Sequence, residues 1–150
     1  MYYFDIKIIL INYNKMGVNQ SILKVNFEGM QNIVKNNTNG KFLIINTLDI
    51  NNQSCLIKNT LSPEKEIEEI SKYLKSDKSI NIVIYGENSV DQNVLKKYEQ
   101  LTKLGFSSVY LYIGGLLEWL LLQDYYSFDE FPTSTENMDL LKYKGKNIIA

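Results

Sequence analysis

The chain has 150 residues, of which 45% are hydrophobic and 12% are aromatic. This composition is typical of a folded domain with an apolar core and excludes an intrinsically disordered chain. The formal net charge is −1 and the sequence contains no basic patch or stripe, so we expect no nucleic acid among its ligands.

The residues that serve most often in active sites are scarce. There is no histidine and all 16 basic residues are lysines, which excludes Ser-His and Cys-His catalysis, histidine-ligated metal sites and guanidinium clamps for anions. The single cysteine, Cys55, excludes an internal disulfide and favours a reducing compartment, so we predict a cytoplasmic protein. We predict neither a cofactor nor a metal site.

The N-terminal residues are not predicted to be part of the domain. Residues 1–15 are hydrophobic, low in complexity and fit no element of the fold, so we predict a leader outside the mature protein. Residues 16–150 then form one domain with a C-terminal tail. The segment from Met16 reads M-G-x-x-x-S, which is the pattern for N-myristoylation of Gly17 once the methionine is removed. The alternative is a chance match.

A lipid on Gly17 would place the protein in a eukaryote or in a virus of eukaryotes. One myristoyl chain binds membranes with a constant of only about 10⁴ M⁻¹, so a partner or self-association would have to supply a second signal. No segment is predicted to span the membrane. The longest apolar run, Leu116–Leu122, contains Glu118 and is far shorter than the roughly 20 residues required.

Strands and helices alternate along the chain, in the order that the apolar periodicity predicts. The predicted strands are 22–25, 41–46, 55–57, 80–85 and 108–113. The predicted helices are 27–36, 62–76, 89–104, 114–126 and 136–142. This alternation predicts an α/β fold with a mainly parallel five-stranded sheet and helices on both faces. Ligands of such sheets bind beyond the carboxyl ends of the strands, so Tyr85-Gly86 marks the predicted site.

Two of these helices have clear start signals and a predicted buried face. Ser62 is the predicted N-cap of the helix at 62–76, followed by Pro63. Ser89, with Gln92 three residues later, is the predicted start of the helix at 89–104. The residues predicted to face the core are Ile67, Ile70 and Leu74 in the first helix and Val90, Val94, Tyr98 and Leu101 in the second.

The segment "KLGFSSVYLYIGGLLEW" (103–119) resembles the Gly-Phe-x-x-Val-Tyr-x-Leu-x-Gly-Gly-x-x-x-Trp run of rhodanese-like domains. The strand "IVIYG" (82–86) is similar to the family's strand that leads into the active-site loop. "FLIIN" (42–46) and "CLIKNTLS" (55–62) stand where the family has its Asp-x-Arg and His-Ile-x-Gly-Ala motifs. The resemblance covers roughly residues 22–125 and implies a three-layer α/β/α sulfurtransferase fold.

This sequence departs from the family at the positions that carry the chemistry. Gly86 stands in place of the catalytic cysteine and Asp91 about where the loop's arginine is expected. Asn46 and Leu48 replace the Asp and Arg of the earlier motif. The resemblance therefore implies a catalytically inactive member with a vestigial loop, which comprises Gly86, Glu87, Asn88, Ser89, Val90 and Asp91.

Elementary electrostatics agrees with this implication. A helix N-terminus favours negative charge, and Glu87 and Asp91 bring two carboxylates to it. They can satisfy that end of the helix and would repel thiosulfate or phosphate. Ser89 has no histidine or arginine to activate it, so capping is the simpler interpretation.

Three functional hypotheses remain open. The first is a binding or scaffold module that recruits a protein partner, with a membrane surface as a further contact. The second is a divergent sulfurtransferase that uses Cys55, although a free cysteine among apolar residues is mostly a buried hydrophobe. The third is a subunit docked through the apolar run Leu116–Leu122 and the tail. The residues predicted to contact a partner are Trp119, Leu120, Tyr125, Tyr126, Phe128 and Phe131.

Overall fold

The computed structural model of the chain describes residues 21–149. The predicted leader at 1–15 and the candidate lipidation site Gly17 lie outside this range. Within it, no helix combines the length and the apolar character needed to cross a membrane.

A parallel sheet of four strands forms the centre of the fold. The strands are β1 (Leu23–Lys24), β2 (Phe42–Asn46), β3 (Asn81–Tyr85) and β4 (Val109–Tyr112). Their order across the sheet is β1-β4-β3-β2, and every neighbouring pair is parallel. β2 and β3 pair along their whole length and are buried except at their first residues. Their continuous apolar sequences agree with this position, because both faces of a parallel sheet are covered.

Four helices cover the two faces. They are α1 (Phe27–Asn36), α2 (Pro63–Ser76), α3 (Asn93–Lys103) and α4 (Gly115–Tyr125). Side chains from α1 and α4 form one core cluster with Ile44, Val83 and Tyr85, whereas α2 and α3 pack on the cluster that contains Ile45 and Ile84. Alternate residues of each strand therefore serve opposite faces. The predicted α/β architecture with helices on both faces is confirmed.

The prediction of five strands is wrong, because residues 55–57 form no strand. Ile57 makes a single antiparallel bridge to Thr133. Two backbone hydrogen bonds join this segment to the C-terminal tail: Lys58 N donates to the Pro132 carbonyl, and Ser134 N donates to the Leu56 carbonyl. The Ile57 N–H donates to the Tyr85 hydroxyl instead of to a strand. The short apolar triplet at 55–57 contains no local signal that its hydrogen-bond partners lie nearly 80 residues later in the chain.

The start of α3 and two helix faces also differ from prediction. Helix α3 begins at Asn93, so Ser89 caps nothing and lies exposed in a turn. Val90 was predicted to face the core but is 67% exposed, because it precedes the helix. Ile67 was also predicted to be buried but is 71% exposed, because α2 covers the sheet only with its side nearer Ile70. Ser62 does cap α2, since its hydroxyl accepts the Lys65 N–H at 3.3 Å.

The remaining described segments contain three short 3₁₀ turns. They lie at Asn37–Asn39, Ile50–Asn52 and Leu140–Tyr143. The last of them replaces the helix predicted at 136–142. Its Tyr143 is completely buried and packs in the same core cluster as α4.

Candidate functional site

The candidate site is the loop that joins β3 to α3. It begins at Gly86, directly after the buried carboxyl end of β3, and ends before Asn93. Gly86 and Asn88 are buried, Glu87 is half-buried, and Ser89 and Val90 are exposed. The loop thus lies at the edge of the sheet where ligands of parallel α/β folds bind.

The Asp91 carboxylate points into the centre of this loop. Its Oδ2 accepts the Glu87 backbone N–H at 3.1 Å, and its Oδ1 accepts the Asn93 N–H at 2.9 Å, at the first residue of α3. The Thr47 hydroxyl, which follows β2, donates to Oδ2 at 3.4 Å. Two backbone N–H groups that could face an anion therefore bind a carboxylate of the chain itself.

Gly86 has no room for a side chain. A methyl group built at its Cα would overlap Asp91 Oδ2 and would lie 2.7 Å from Val94 Cγ2. Such separations are shorter than van der Waals contact, so a cysteine at this position would require the Asp91 carboxylate to move.

The other side of the loop is held by the start of α4. Leu116 N and Leu117 N donate to the carbonyls of Gly86 and Glu87 at 2.9 and 2.8 Å. This close approach depends on Gly115, whose φ of 69° favours glycine and whose Cβ would lie 2.7 Å from the Gly86 carbonyl oxygen. The second glycine of the predicted "GG" helix start thus has a packing reason.

The C-terminal tail covers the outer part of the loop. Asn88 Nδ2 donates to the Tyr143 carbonyl at 2.9 Å, in a buried position. Farther along, a methyl group built at Gly145 would lie 2.8 Å from Val90 Cγ2, so the tail runs directly against the loop. Burial is the largest of the causes that raise the pKa of the Tyr143 hydroxyl above its usual value. The tail therefore belongs to the wall of the site.

A polar groove of about 360 Å³ lies beside the loop, between the segment after β2 and helices α2 and α3. Asn46 and Gln53 pair their amides there, with Nδ2 to Oε1 at 3.0 Å and Nε2 to Oδ1 at 2.9 Å. Glu87 reaches toward the same segment, where Asn52 Nδ2 donates to its Oε1 at 3.4 Å. Neutral amides thus bind each other at the position where the family's Asp-x-Arg motif was expected.

Cys55 lies away from solvent. Its side chain is 2% exposed, and its Sγ lies 3.4 Å from the Thr135 carbonyl, which accepts its hydrogen bond. The thiol is thus enclosed between the apolar core and the tail. A reactive cysteine needs exposure and a positive setting, and this environment supplies neither.

The six residues predicted to contact a partner divide into two groups. Trp119, Leu120 and Phe131 are at most 1% exposed, so the chain itself covers them. Tyr125, Tyr126 and Phe128 lie at the surface, at and just after the C-terminal end of α4. The hydrophobic face assigned to Trp119 and Leu120 is therefore core, and a partner surface can use only the second group.

Some contributors to the site were not identified from the sequence. Thr47 and the tail at Tyr143 are distant in sequence and carry no motif. The position of Asp91 had a local signal: an aspartate two residues before a helix commonly accepts the N–H at i+2. Among residues 21–149, no three Asp, Glu or Cys side chains are grouped so that they could hold a metal ion.

Comparison with known proteins identifies the fold. The model of the rhodanese-like domain family matches residues 45–122, which is more than half of the chain. The Alr3790 protein from Anabaena sp. is similar in structure, with a TM-score of 0.56 and 18% identity over 79% of this chain and 97% of that one. A full-length protein from Lactobacillus plantarum has a TM-score of 0.56 and 19% identity, covering 91% of this chain and 100% of that one.

A third similar structure is that of the BH2092 protein from Bacillus halodurans, with a TM-score of 0.54 and 18% identity over 72% of this chain and 78% of that one. No curated protein sequence matches the chain. At these identities the solved structures speak for the fold alone. The family model, the parallel sheet and the loop after β3 agree, and the chain belongs to the rhodanese-like domain family.

Proposed function

We propose that this chain is a non-catalytic rhodanese-like domain that binds a protein partner. The observation that carries the proposal is the Asp91 carboxylate inside the loop between β3 and α3, where it accepts the N–H groups of Glu87 and Asn93. A sulfurtransferase needs this loop to bind an anionic sulfur species, and here the loop already holds a negative charge.

Electrostatics makes a second anion unfavourable. Two like charges about 4 Å apart repel by roughly 1 kcal/mol in water and several times more at a partly buried site. The side chains of Asp91 and Glu87 are both half-buried. The chain contains no arginine to balance an incoming thiosulfate. The loop is therefore expected to reject anions.

The loop also lacks a nucleophile. Gly86 has no side chain, and Ser89 lies exposed in a turn without a histidine anywhere in the chain to activate it. The alternative sulfurtransferase would have to use Cys55, and the burial of its thiol beneath Thr135 weighs against that route. Turnover through Cys55 would require the tail to detach.

A sulfur-transfer assay tests the proposal. Purified protein is incubated with thiosulfate and cyanide and thiocyanate is measured, with an active rhodanese as the positive control and Cys55→Ser as the matched variant. We expect no thiocyanate above the protein-free rate from either protein. Turnover that disappears in Cys55→Ser would overturn the proposal in favour of the divergent sulfurtransferase.

A membrane tether at Gly17 stays a proposal on the sequence alone. It is supported by the M-G-x-x-x-S pattern, and one acyl chain would need the partner as its second anchor. The mass of the mature N-terminus, measured on protein from its native source, would show an acylated Gly17 or refute the tether.

A further inference from the structure

The C-terminal end of α4 combines exposed rings with negative charge. Leu121, Asp124 and Tyr125 have the i, i+3, i+4 spacing that places them on one face of the helix, and Tyr126 and Phe128 follow at once. We call these five residues the acidic aromatic patch. Tyr125 is 80% exposed, Tyr126 57% and Leu121 46%, so the patch presents apolar area that residues 21–149 leave uncovered.

The rings of the patch rest on the core. Tyr125 and Tyr126 contact each other edge to face, with centroids 4.8 Å apart. Tyr126 lies 5.9 Å from Phe131, which in turn packs edge-on at 5.0 Å against the buried Trp119. A supported tyrosine offers a large contact area at a small entropic cost, which is why such residues are favoured in binding surfaces.

The part of the sequence that contains the patch carries charge of one sign. Between Leu104 and Leu141 the sequence contains no lysine, and it contains the acids Glu118, Asp124, Asp129, Glu130, Glu136 and Asp139. The ion pairs found within residues 21–149 involve none of these acids. Asp129 borders a separate cavity of about 460 Å³ together with Lys35 and Lys58, whereas Asp124 sits on α4 beside the exposed rings.

The end of α4 lacks the cation that the other helices have. Lys35, Lys75 and Lys103 lie in the last turns of α1, α2 and α3, whereas the last turn of α4 has no basic residue and contains Asp124. A helix C-terminus carries partial negative charge and is stabilised by cations. An approaching cation would therefore meet the helix end and the Asp124 carboxylate together.

We propose that the acidic aromatic patch binds a lysine- or arginine-rich segment of another protein. The cationic group lies near Asp124 and over the tyrosine faces, and the aliphatic stem packs on Leu121. The inference rests on the proposed binding function and names the chemistry of the partner. A symmetric contact with a second copy would bring the two Asp124 carboxylates toward each other, and an anionic membrane would repel them.

The test uses a labelled helical peptide of lysine and leucine, together with its analogue in which glutamate replaces every lysine. Fluorescence anisotropy at low salt measures binding to the full chain. We expect binding of the lysine peptide only, with affinity that falls as salt is added. Asp124→Lys and Tyr125→Ala should each weaken binding at least about tenfold, since a charge and a ring at the centre of a contact carry much of its energy.

The controls are Glu99→Lys and Ile67→Ala, which make the same kinds of change at exposed positions of α3 and α2. They should leave the affinity within about twofold of the wild type, because they lie outside the proposed contact. Amide shifts in labelled protein should change at 121–128. Equal losses for Asp124→Lys and Glu99→Lys, or shifts confined to another face, would overturn the inference.

Two further outcomes would also reject it. Concentration-dependent dimers that Tyr125→Ala abolishes would assign the patch to a second copy, and binding to phosphatidylserine vesicles that the same variant abolishes would assign it to a lipid surface. Thiocyanate production in the sulfur-transfer assay would overturn the non-catalytic function and not the peptide result. Absence of peptide binding without turnover would overturn this inference alone.

Discussion

At the scale of single residues, Asp91 gives the loop the negative charge that an anion would otherwise bring. Its two oxygens accept N–H groups from both ends of the loop, and the space beside Gly86 is filled by the same carboxylate and by Val94. The glycine and the aspartate therefore depend on each other. A change at Gly86 cannot be understood without Asp91, because a side chain at position 86 would occupy the volume that the Asp91 carboxylate fills.

This dependence predicts coupling between substitutions at the two positions. Gly86→Ala should lower the free energy of unfolding by about 1–3 kcal/mol, because its methyl group would overlap Asp91 Oδ2. Asp91→Ala should cost about 1–3 kcal/mol, because the N–H groups of Glu87 and Asn93 lose their acceptor. The double variant should lose clearly less than the sum, since removal of the carboxylate opens space for the methyl group. Urea unfolding measures all three values.

Gly29→Ala is the matched control for the added methyl group. It lies in α1 with its nearest contacts at an ordinary 3.4 Å, so we expect an effect between zero and a gain of about 1 kcal/mol. Strictly additive losses at Gly86 and Asp91 would contradict the shared-volume interpretation.

At the scale of elements, the site is an arrangement of five segments around one loop. The ends of β2 and β3, the starts of α3 and α4 and the tail near Tyr143 all contact it. Helix α4 packs so closely on the loop that a Cβ on its first residue, Gly115, would lie 2.7 Å from the Gly86 carbonyl oxygen. The position of α4, and with it the exposed end that carries Tyr125, thus depends on this contact.

Substitution of Gly115 should accordingly be far more damaging than its conformation alone requires. Gly115→Ala combines a positive φ of 69° with a Cβ 2.7 Å from a backbone oxygen, and we expect a loss of more than about 3 kcal/mol. Gly40→Ala is the control, because Gly40 has a φ of 62° and no atom lies within 4 Å of the position that its Cβ would occupy. It should lose only about 1–2 kcal/mol. Similar losses in thermal or urea unfolding would refute the steric role of Gly115.

At the scale of the whole molecule, buried tyrosines on two strands and in the tail form hydrogen bonds with the segments around them. The Tyr85 hydroxyl accepts the Ile57 N–H and lies 2.7 Å from the Thr60 hydroxyl. Tyr112 donates to Glu118 at 2.8 Å, and Tyr143 closes the tail over the loop. Burial is the largest cause that raises the pKa of each of these three hydroxyls above the ordinary value of 10.0.

These raised pKa values predict a loss of stability in alkali. Below pH about 10 the hydroxyls are neutral in both states and the contribution is complete. Above it, the unfolded chain releases protons that the folded chain retains, so the free energy of unfolding falls by about 1.4 kcal/mol per pH unit for each such tyrosine. Urea unfolding between pH 9 and 11 should show this fall. Tyr112→Phe should make the slope shallower by about one proton, and an unchanged slope would contradict the assignment.

The sequence by itself determined the alternation of strands and helices, the parallel sheet and the loop after β3. These depend on local periodicity, on caps such as Ser62 and on the glycines at the start of α4, all of which can be read from neighbouring residues. The absence of histidine and arginine and the lack of a nucleophile at Gly86 were equally local, and they led to the expectation of a silent loop.

Only the tertiary structure decided which groups meet. It brought Thr47 and Tyr143 to the loop, buried Cys55 under Thr135, and reduced the fifth strand to a bridge between Ile57 and Thr133. It also divided the apolar α4 into a buried face with Trp119 and an exposed end with Tyr125. The physical reason is that these contacts join residues far apart in sequence, and their energies depend on distances that no local pattern encodes.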